Sequence, residues 1–544
     1  MSDPAATALA AEQLAADDWR PAASPWLIAT GLMLGTFMEL LDTSIVNVAL
    51  PHIAGSLSAS TTESTWVLTS YLIANAIVLP ASGWFGRLFG RKRFLMTCLV
   101  LFTGSSALCG VAQSLGFLVA ARVVQGLAGG ALQPISQAVL FESFPQRQHG
   151  LAMAVFGVGV VVAPVIGPIL GGWLADVYSW RWSFYINLPV GAVALIMTHA
   201  FMEDPPYLRR QARPRIDYIG FVLMAIALGT LQVVLDKGQD DDWFEATWIC
   251  VTSGVCVLSF IAFLVRELRV KHPILDLRVF LDRTFMAGTI MIAALGVALY
   301  SVTVMLPLFL QTLVNYPALQ SGLALSPRGL VSIPAMLTCG LLLTRVDARV
   351  IIGLGFLLLS YSCFEFGHFT LQVSTAAVLW PTILNGIAIG MIFVPLTTIT
   401  MARLPKEEIG NATGIFNLMR NIGGSVGIAL IATFLARDAQ RHQALMIGNL
   451  TPFDPAYQQW LAGSQAALAT RGALWPEQQA LSALYGTLLQ QSAFAAFIDN
   501  FRLLAFFCLL GVGSVFFLQR PRTSGQVKGM HSVQRTQNTM DVAR

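Results

Sequence analysis

Fourteen long apolar runs constrain this chain more than any other feature. They lie at about 26–50, 65–85, 94–112, 116–140, 150–175, 183–202, 217–235, 243–265, 284–312, 318–343, 350–367, 375–400, 411–435 and 498–519. Crossing the hydrocarbon core of a bilayer takes about 20 apolar residues, and these runs match that length. Backbone polar groups in lipid find no water, so such runs must close their hydrogen bonds internally, as helices. Composition agrees. Of 544 residues, 55% are hydrophobic and only 11% are charged, against about 25% charged in ordinary soluble domains. So little charge cannot coat several soluble domains. The expected fold is an all-α polytopic membrane protein of 14 spans, with the lipid bilayer as its surroundings. A net charge of +4 gives no reason to expect a nucleic-acid partner.

An even span count puts both termini on one side, and Lys and Arg decide which side. With the N-terminal side inside, the inner loops hold 18 basic residues between Arg87 and Lys406, whereas the short outer loops hold only Arg181 and Lys237. Both termini are therefore expected in the cytoplasm. Asp3, Glu12, Asp17 and Asp18 near the start do not suit a secretory signal, so the first run should remain a span. All seven cysteines fall inside predicted spans and read as small apolar residues. The outer connection 437–497, between spans 13 and 14, is much longer than the others. Its Trp475-Pro476-Glu477 is a helix-start signature. The expectation there is short helices packed on the outer face.

Enzyme chemistry is not visible. The sequence has no Gly-Lys dipeptide for a phosphate loop and no H-E-x-x-H. Gly423-Gly424-Ser425-Val426-Gly427 matches G-x-S-x-G, but that motif needs a strand–turn–helix setting and here lies inside a span. No cofactor is expected. Small-residue pairs four apart, such as Gly126/Gly130 and Gly167/Gly171, suit close helix packing.

Charge inside a span is costly and marks function by default. In span 1, Glu39 and Asp42 are three residues apart and share a helix face. At about 1.5 Å rise per residue, both fall in the outer half of the bilayer, level with Arg122 in span 4. If spans 1 and 4 are adjacent, the three would form one buried cluster, either a switchable proton site or a permanent ion-pair staple that fixes helix register. Arg328 in span 10 and Arg420 in span 13 fall near the midplane, where they would either line a cavity or bond to helix ends.

Four segments give the chain a resemblance to a known family. They are Leu41-Asp42-Thr43-Ser44-Ile45-Val46-Asn47-Val48-Ala49-Leu50-Pro51 in span 1, Gly83-Trp84-Phe85-Gly86-Arg87-Leu88-Phe89-Gly90-Arg91-Lys92-Arg93 between spans 2 and 3, Arg122-Val123-Val124-Gln125-Gly126-Leu127-Ala128-Gly129-Gly130 in span 4, and Ala163-Pro164-Val165-Ile166-Gly167-Pro168-Ile169-Leu170-Gly171-Gly172 in span 5. In order and on these spans, they resemble the major facilitator superfamily, and within it the 14-span drug:proton antiporters of the EmrB/QacA type, EmrB in particular. Two positions depart from the pattern. Arg87 stands where the loop usually carries an acid, and Ala163 where the span-5 motif usually opens with glycine.

The resemblance implies a cytoplasmic segment 1–25, a six-helix half 26–202, two inserted helices with linkers at 203–283, a second half 284–519 and a cytoplasmic tail 520–544. It implies proton coupling by Asp42, Glu39 and Arg122, and a small-molecule cavity for which Asn47, Gln125, Arg328 and Arg420 are candidates. Gly83, Gly90, Arg91, Gly126, Pro164, Gly167, Pro168, Gly171 and Gly172 would serve gating, with span 5 weakened where it meets the opposite half. It further implies export of drug-like hydrophobic or amphipathic compounds across a bacterial inner membrane, powered by the proton gradient, the alternative being a transporter of the same fold that exports or imports a specific organic acid or metabolite. A periplasmic membrane-fusion adaptor and, through it, an outer-membrane channel would be partners.

Overall fold

The computed structural model describes residues 21–205, 217–270, 273–406, 408–448 and 450–519. The two terminal segments and the basic residues Arg209, Arg210, Arg213, Arg215 and Lys271 lie wholly or mainly outside these. Among the described residues there is no strand, and 14 helices are long and apolar enough to cross a membrane. They are Pro25–Ser56, Trp66–Phe89, Arg91–Gly110, Leu115–Ser143, Gln146–Val177, Trp182–Phe201, Tyr218–Lys237, Thr247–Arg269, Arg283–Thr312, Gln320–Leu342, Ala348–Phe366, Thr375–Met401, Ile409–Ile447 and Pro476–Phe517, here spans 1 to 14.

Local chemistry sets many of the starts. Side chains of Ser114, Asp217, Asp282, Asp347 and Ser374 cap the first turns of spans 4, 7, 9, 11 and 12, taking up amide groups a helix start leaves unbonded. Gly90 separates spans 2 and 3 with φ +86°, a conformation glycine adopts without strain. Span 4 is two helical segments, Leu115–Gly129 and Leu132–Ser143, with a break at Gly130–Ala131.

The packing repeats. Span 1 packs on 5 and 6, span 2 on 4, and span 3 on 4 and 6; span 9 packs on 13 and 14, span 10 on 12, and span 11 on 12 and 14. Adding eight to each number of the first set gives the second, so the molecule is two six-helix halves of like architecture. Spans 7 and 8 form an inserted hairpin. Span 7 touches both halves on the side away from the termini: Lys237 Nζ donates to Thr65 Oγ1, just before span 2, at 2.9 Å, and Ser425 Oγ of span 13 donates to Gln232 Oε1 at 3.0 Å.

The halves meet through spans 5 with 10 and 2 with 13. Their closest backbone-to-backbone approaches lie toward the face that carries the chain ends, here the terminal face. A Cβ on Gly150 would sit 2.9 Å from the Gly340 carbonyl oxygen, and one on Gly83 would run into the Gly410 carbonyl. Asn411 brackets the Asp276 backbone, accepting from its N–H at 3.2 Å and donating to its carbonyl at 3.0 Å. On the opposite, far face, spans 1 and 9 form no packed interface. The molecule is closed at the terminal face.

Two expectations need correction. The 437–497 connection is not simply short helices on the outer face. Spans 13 and 14 run on into it as helices of 39 residues each, about 58 Å long at 1.5 Å per residue against a core of about 30 Å. Arg437, Asp438 and Arg441 end the apolar run but not the helix. Between the extensions lies one further helix, Pro455–Thr470, packed on the span-14 extension. Nor do Gly167, Gly171 and Gly172 of span 5 meet the opposite half. A Cβ on Gly167 would meet the Ser44 side chain and one on Gly171 the Ile45 carbonyl at 2.8 Å, both on span 1 of the same half, while Gly172 touches only Val48. Pro164 and Pro168 stand inside one continuous helix, and the Pro164 carbonyl accepts from Ser44 Oγ at 3.2 Å.

Candidate functional site: two buried acids on span 1

Span 1 carries Glu39 and Asp42 on one face, but the structure gives them different partners. Asp42 is fully buried and pairs directly with fully buried Arg122, Nη1 to Oδ2 at 2.5 Å. Its Oδ1 accepts from Asn187 Nδ2 at 2.7 Å and Gln125 Nε2 at 3.0 Å. Arg122 is held in turn by the Gln125 Oε1 at 2.8 Å, by the Val67 carbonyl at 3.1 Å, and by the Tyr71 ring 4.1 Å below its guanidinium. In a low-dielectric interior an ion pair survives only when extra hydrogen bonds offset lost hydration. Here spans 1, 2, 4 and 6 all contribute.

Glu39 stands apart from that pair. Its Oε2 accepts from Gln133 Nε2 at 2.6 Å, and its Oε1 from Asn75 Nδ2 at 3.0 Å and the Tyr71 hydroxyl at 3.3 Å. The expected single cluster is therefore two, joined through Tyr71, which touches Arg122 with its ring and Glu39 with its hydroxyl. The reason is helical: three residues advance about 300°, so the two side chains diverge enough to meet different segments of span 4.

Glu39 faces the other half. Gln133 Oε1 accepts from Arg420 Nη2 at 2.5 Å, and Arg420 is buried with Nε and Nη1 lacking a hydrogen-bond partner. Arg328 differs. It donates from Nη1 to Thr303 Oγ1 at 3.0 Å and from Nη2 toward the Leu299 carbonyl at 3.5 Å, both on span 9 of its own half. Gln125, expected in a substrate cavity, is instead sealed inside the Asp42–Arg122 network. Asn47 is exposed and joins neither cluster.

The gating candidates divide by position. Gly83 lies at the contact between halves, Gly126 against the Tyr71 carbonyl within its own half, and Gly90 beside Asp204. Arg91 forms a buried ion pair with Glu142 at the end of span 4, tying spans 3 and 4 at the terminal face. Sequence reasoning did not single out Tyr71, Asn75, Gln133 or, as a ligand of Asp42, Asn187. The available signal was a polar side chain inside an apolar run.

This architecture, two repeated halves with acids and arginines buried inside them, is that of a membrane transporter. The chain belongs to the Major Facilitator Superfamily, whose sequence model matches residues 32–428. It is 33% identical over 501 residues to the multidrug export protein EmrB of Escherichia coli K12, covering 92% of this chain and 96% of that protein. It is 36% identical over 472 residues to the fatty acid resistance protein FarB of Neisseria gonorrhoeae, covering 86% and 91%. Among solved structures, a double-tryptophan variant of XylE superposes with a TM-score of 0.61 at 13% identity, covering 92% of this chain and 97% of that one. That last likeness concerns the fold. The protein is thus a multi-pass membrane protein of a transporter family.

Proposed function

We propose that this protein is a proton-coupled exporter of drug-like hydrophobic or amphipathic compounds, a transporter and not an enzyme, working by alternating access. The carrying observation is the fully buried Asp42–Arg122 pair on two spans of one half. Neutralising Asp42 with a proton removes the charge that holds Arg122, so the pair is a place where proton binding alters helix packing. The multidrug-export names of relatives at this identity support the cargo class. Lys and Arg in the loops of the terminal face support a cytoplasmic location for both termini, in a bacterial inner membrane. The proton gradient supplies the energy, at about 2.3 kcal/mol per charge per 100 mV.

A second cargo reading has its own support. Buried Arg420, with two unbonded donor nitrogens, suits the head group of an amphipathic acid, and one relative is named for fatty acid resistance. The helices that carry spans 13 and 14 beyond the bilayer, with Pro455–Thr470 between them, offer a surface for a periplasmic membrane-fusion adaptor and through it an outer-membrane channel.

Inverted vesicles containing the protein and a pH-sensitive dye test the central reading. Adding a transported compound to energised vesicles should release protons, and Asp42→Asn should abolish the signal. No release with any cationic, neutral or anionic amphiphile would count against antiport. Replacing Pro455–Thr470 by a short linker should leave this signal intact and remove adaptor capture.

A further inference from the structure

We propose that Gln133 is the positioning residue that carries the charge state of Glu39 to the contact between the two halves, an inference that rests on the proton-coupled reading above. Its amide is used at both ends. Nε2 donates to Glu39 Oε2 at 2.6 Å and Oε1 accepts from Arg420 Nη2 at 2.5 Å. Glu39 belongs to one half and Arg420 to the other.

A glutamine amide has one donor end and one acceptor end. With Glu39 ionised, only one orientation satisfies both neighbours, because the flipped amide would set its oxygen against a carboxylate and its NH2 against a guanidinium. The carboxylate therefore fixes the acceptor that holds Arg420. A proton on Glu39 weakens it as an acceptor and adds an O–H donor. The amide then loses its enforced orientation, and Arg420, whose other donors are unbonded, loses its anchor.

Neighbouring links lie along the same two helices. Thr413 Oγ1 donates to the Pro134 carbonyl at 3.0 Å and Asn417 Nδ2 to Gln137 Oε1 at 2.7 Å. Residues 413, 417 and 420 share one face of span 13, but only the Gln133 link ends on a group that titrates. Gln133 also sits in the second segment of span 4, just past the Gly130–Ala131 break, so it can move without dragging Arg122.

The charged and titratable surroundings of Glu39 are few. Tyr71 faces it from span 2 and Arg420 from span 13; Asp42 and Arg122 lie beyond the Tyr71 ring. Spans 5 and 6 and the second segment of span 4 also pack on span 1, and their charged or titratable groups, Glu142, Arg147, His149, Asp176, Tyr185 and His199, stand near the helix ends. Ionised Glu39 thus favours the closed terminal face, and a proton arriving from the far face unlocks it. That order matches exchange of an entering proton for a leaving substrate.

The test is a distance measurement by pulsed electron paramagnetic resonance on the full chain in nanodiscs. Spin labels go on Gln146→Cys and Thr344→Cys, exposed on the terminal face of opposite halves, with the native cysteines replaced. In wild type, acidification should raise the open-to-closed ratio about ten-fold or more, the scale of one hydrogen bond to a charged group. Glu39→Gln should be open at every pH. Gln133→Leu should lose the pH response, and Gln133→Ala serves if the leucine variant does not fold. Gln137→Leu, which removes a neighbouring uncharged link, should shift the ratio but keep the wild-type midpoint. A Gln133 variant with the wild-type midpoint, or a wild type without a pH response, overturns the proposal. Vesicle transport is read separately, so a pH-dependent distance without transport would sink the exporter reading and leave the Gln133 role standing.

Discussion

Asp42 is surrounded by donors of unequal weight. Arg122 supplies the compensating charge, while Asn187 and Gln125 supply neutral bonds. Removing one partner of a buried pair leaves the other charge uncompensated, at a cost of about 3–5 kcal/mol. Asp42→Ala should therefore lower the melting temperature in detergent markedly. Asn187→Ala should lower it less, with about 1 kcal/mol lost. A second residue-scale prediction lies outside the membrane. Asp217 caps span 7 and takes two side-chain bonds from Arg266, at 2.7 Å and 2.9 Å to its Oδ1. Burial pushes its carboxyl up, but the Arg266 bonds and the Gly220 amide outweigh this and hold it below its ordinary 3.8. A group with a depressed folded value stabilises above its unfolded value and loses that contribution as pH falls. Asp217→Asn should thus melt earlier than wild type at neutral pH, with the difference shrinking below about pH 4. An unchanged difference in acid would refute the assignment. At this scale, the Asp42–Arg122 pair was legible because two charges of opposite sign stood in apolar runs at matching depth. Gln133 and Asn75 were not, because their meaning depends on partners from spans far apart in sequence.

Elements tell a different story about what apolar runs reveal. Hydropathy located all 14 spans, since lipid contact imposes composition directly. It did not reveal where spans 13 and 14 end, because a helix outside the bilayer tolerates Arg437, Asp438 and Gln-rich turns. Nor could periodicity say which helix each small residue meets. Of the span-5 glycines, Gly167 and Gly171 serve span 1 in their own half, whereas Gly150 meets Gly340 across the halves, as Gly83 of span 2 meets Gly410. Gly83→Ala places a methyl against the Gly410 carbonyl, so spans 2 and 13 cannot close. This variant should insert and express normally, label readily at terminal-face cysteines, and transport at least ten-fold more slowly, the consequence of about 1.4 kcal/mol against the closed state. Wild-type labelling in Gly83→Ala would mean that the glycine contact does not govern closure.

The whole molecule joins these parts. Two like halves meet closely at one face, an inserted hairpin bonds to spans 2 and 13 at the other, and two buried acids on span 1 face different ways. Asp42 looks into its own half, and Glu39 looks across to the other through Gln133. Coupling requires that proton binding change which face is closed; exchange of substrate alone does not. One comparison separates the two. In reconstituted vesicles, Asp42→Asn should still exchange labelled for unlabelled substrate at near wild-type rate but fail to accumulate it against a gradient when a pH difference is imposed. Accumulation equal to wild type in Asp42→Asn would contradict the assignment of proton coupling to the span-1 acid and its arginine.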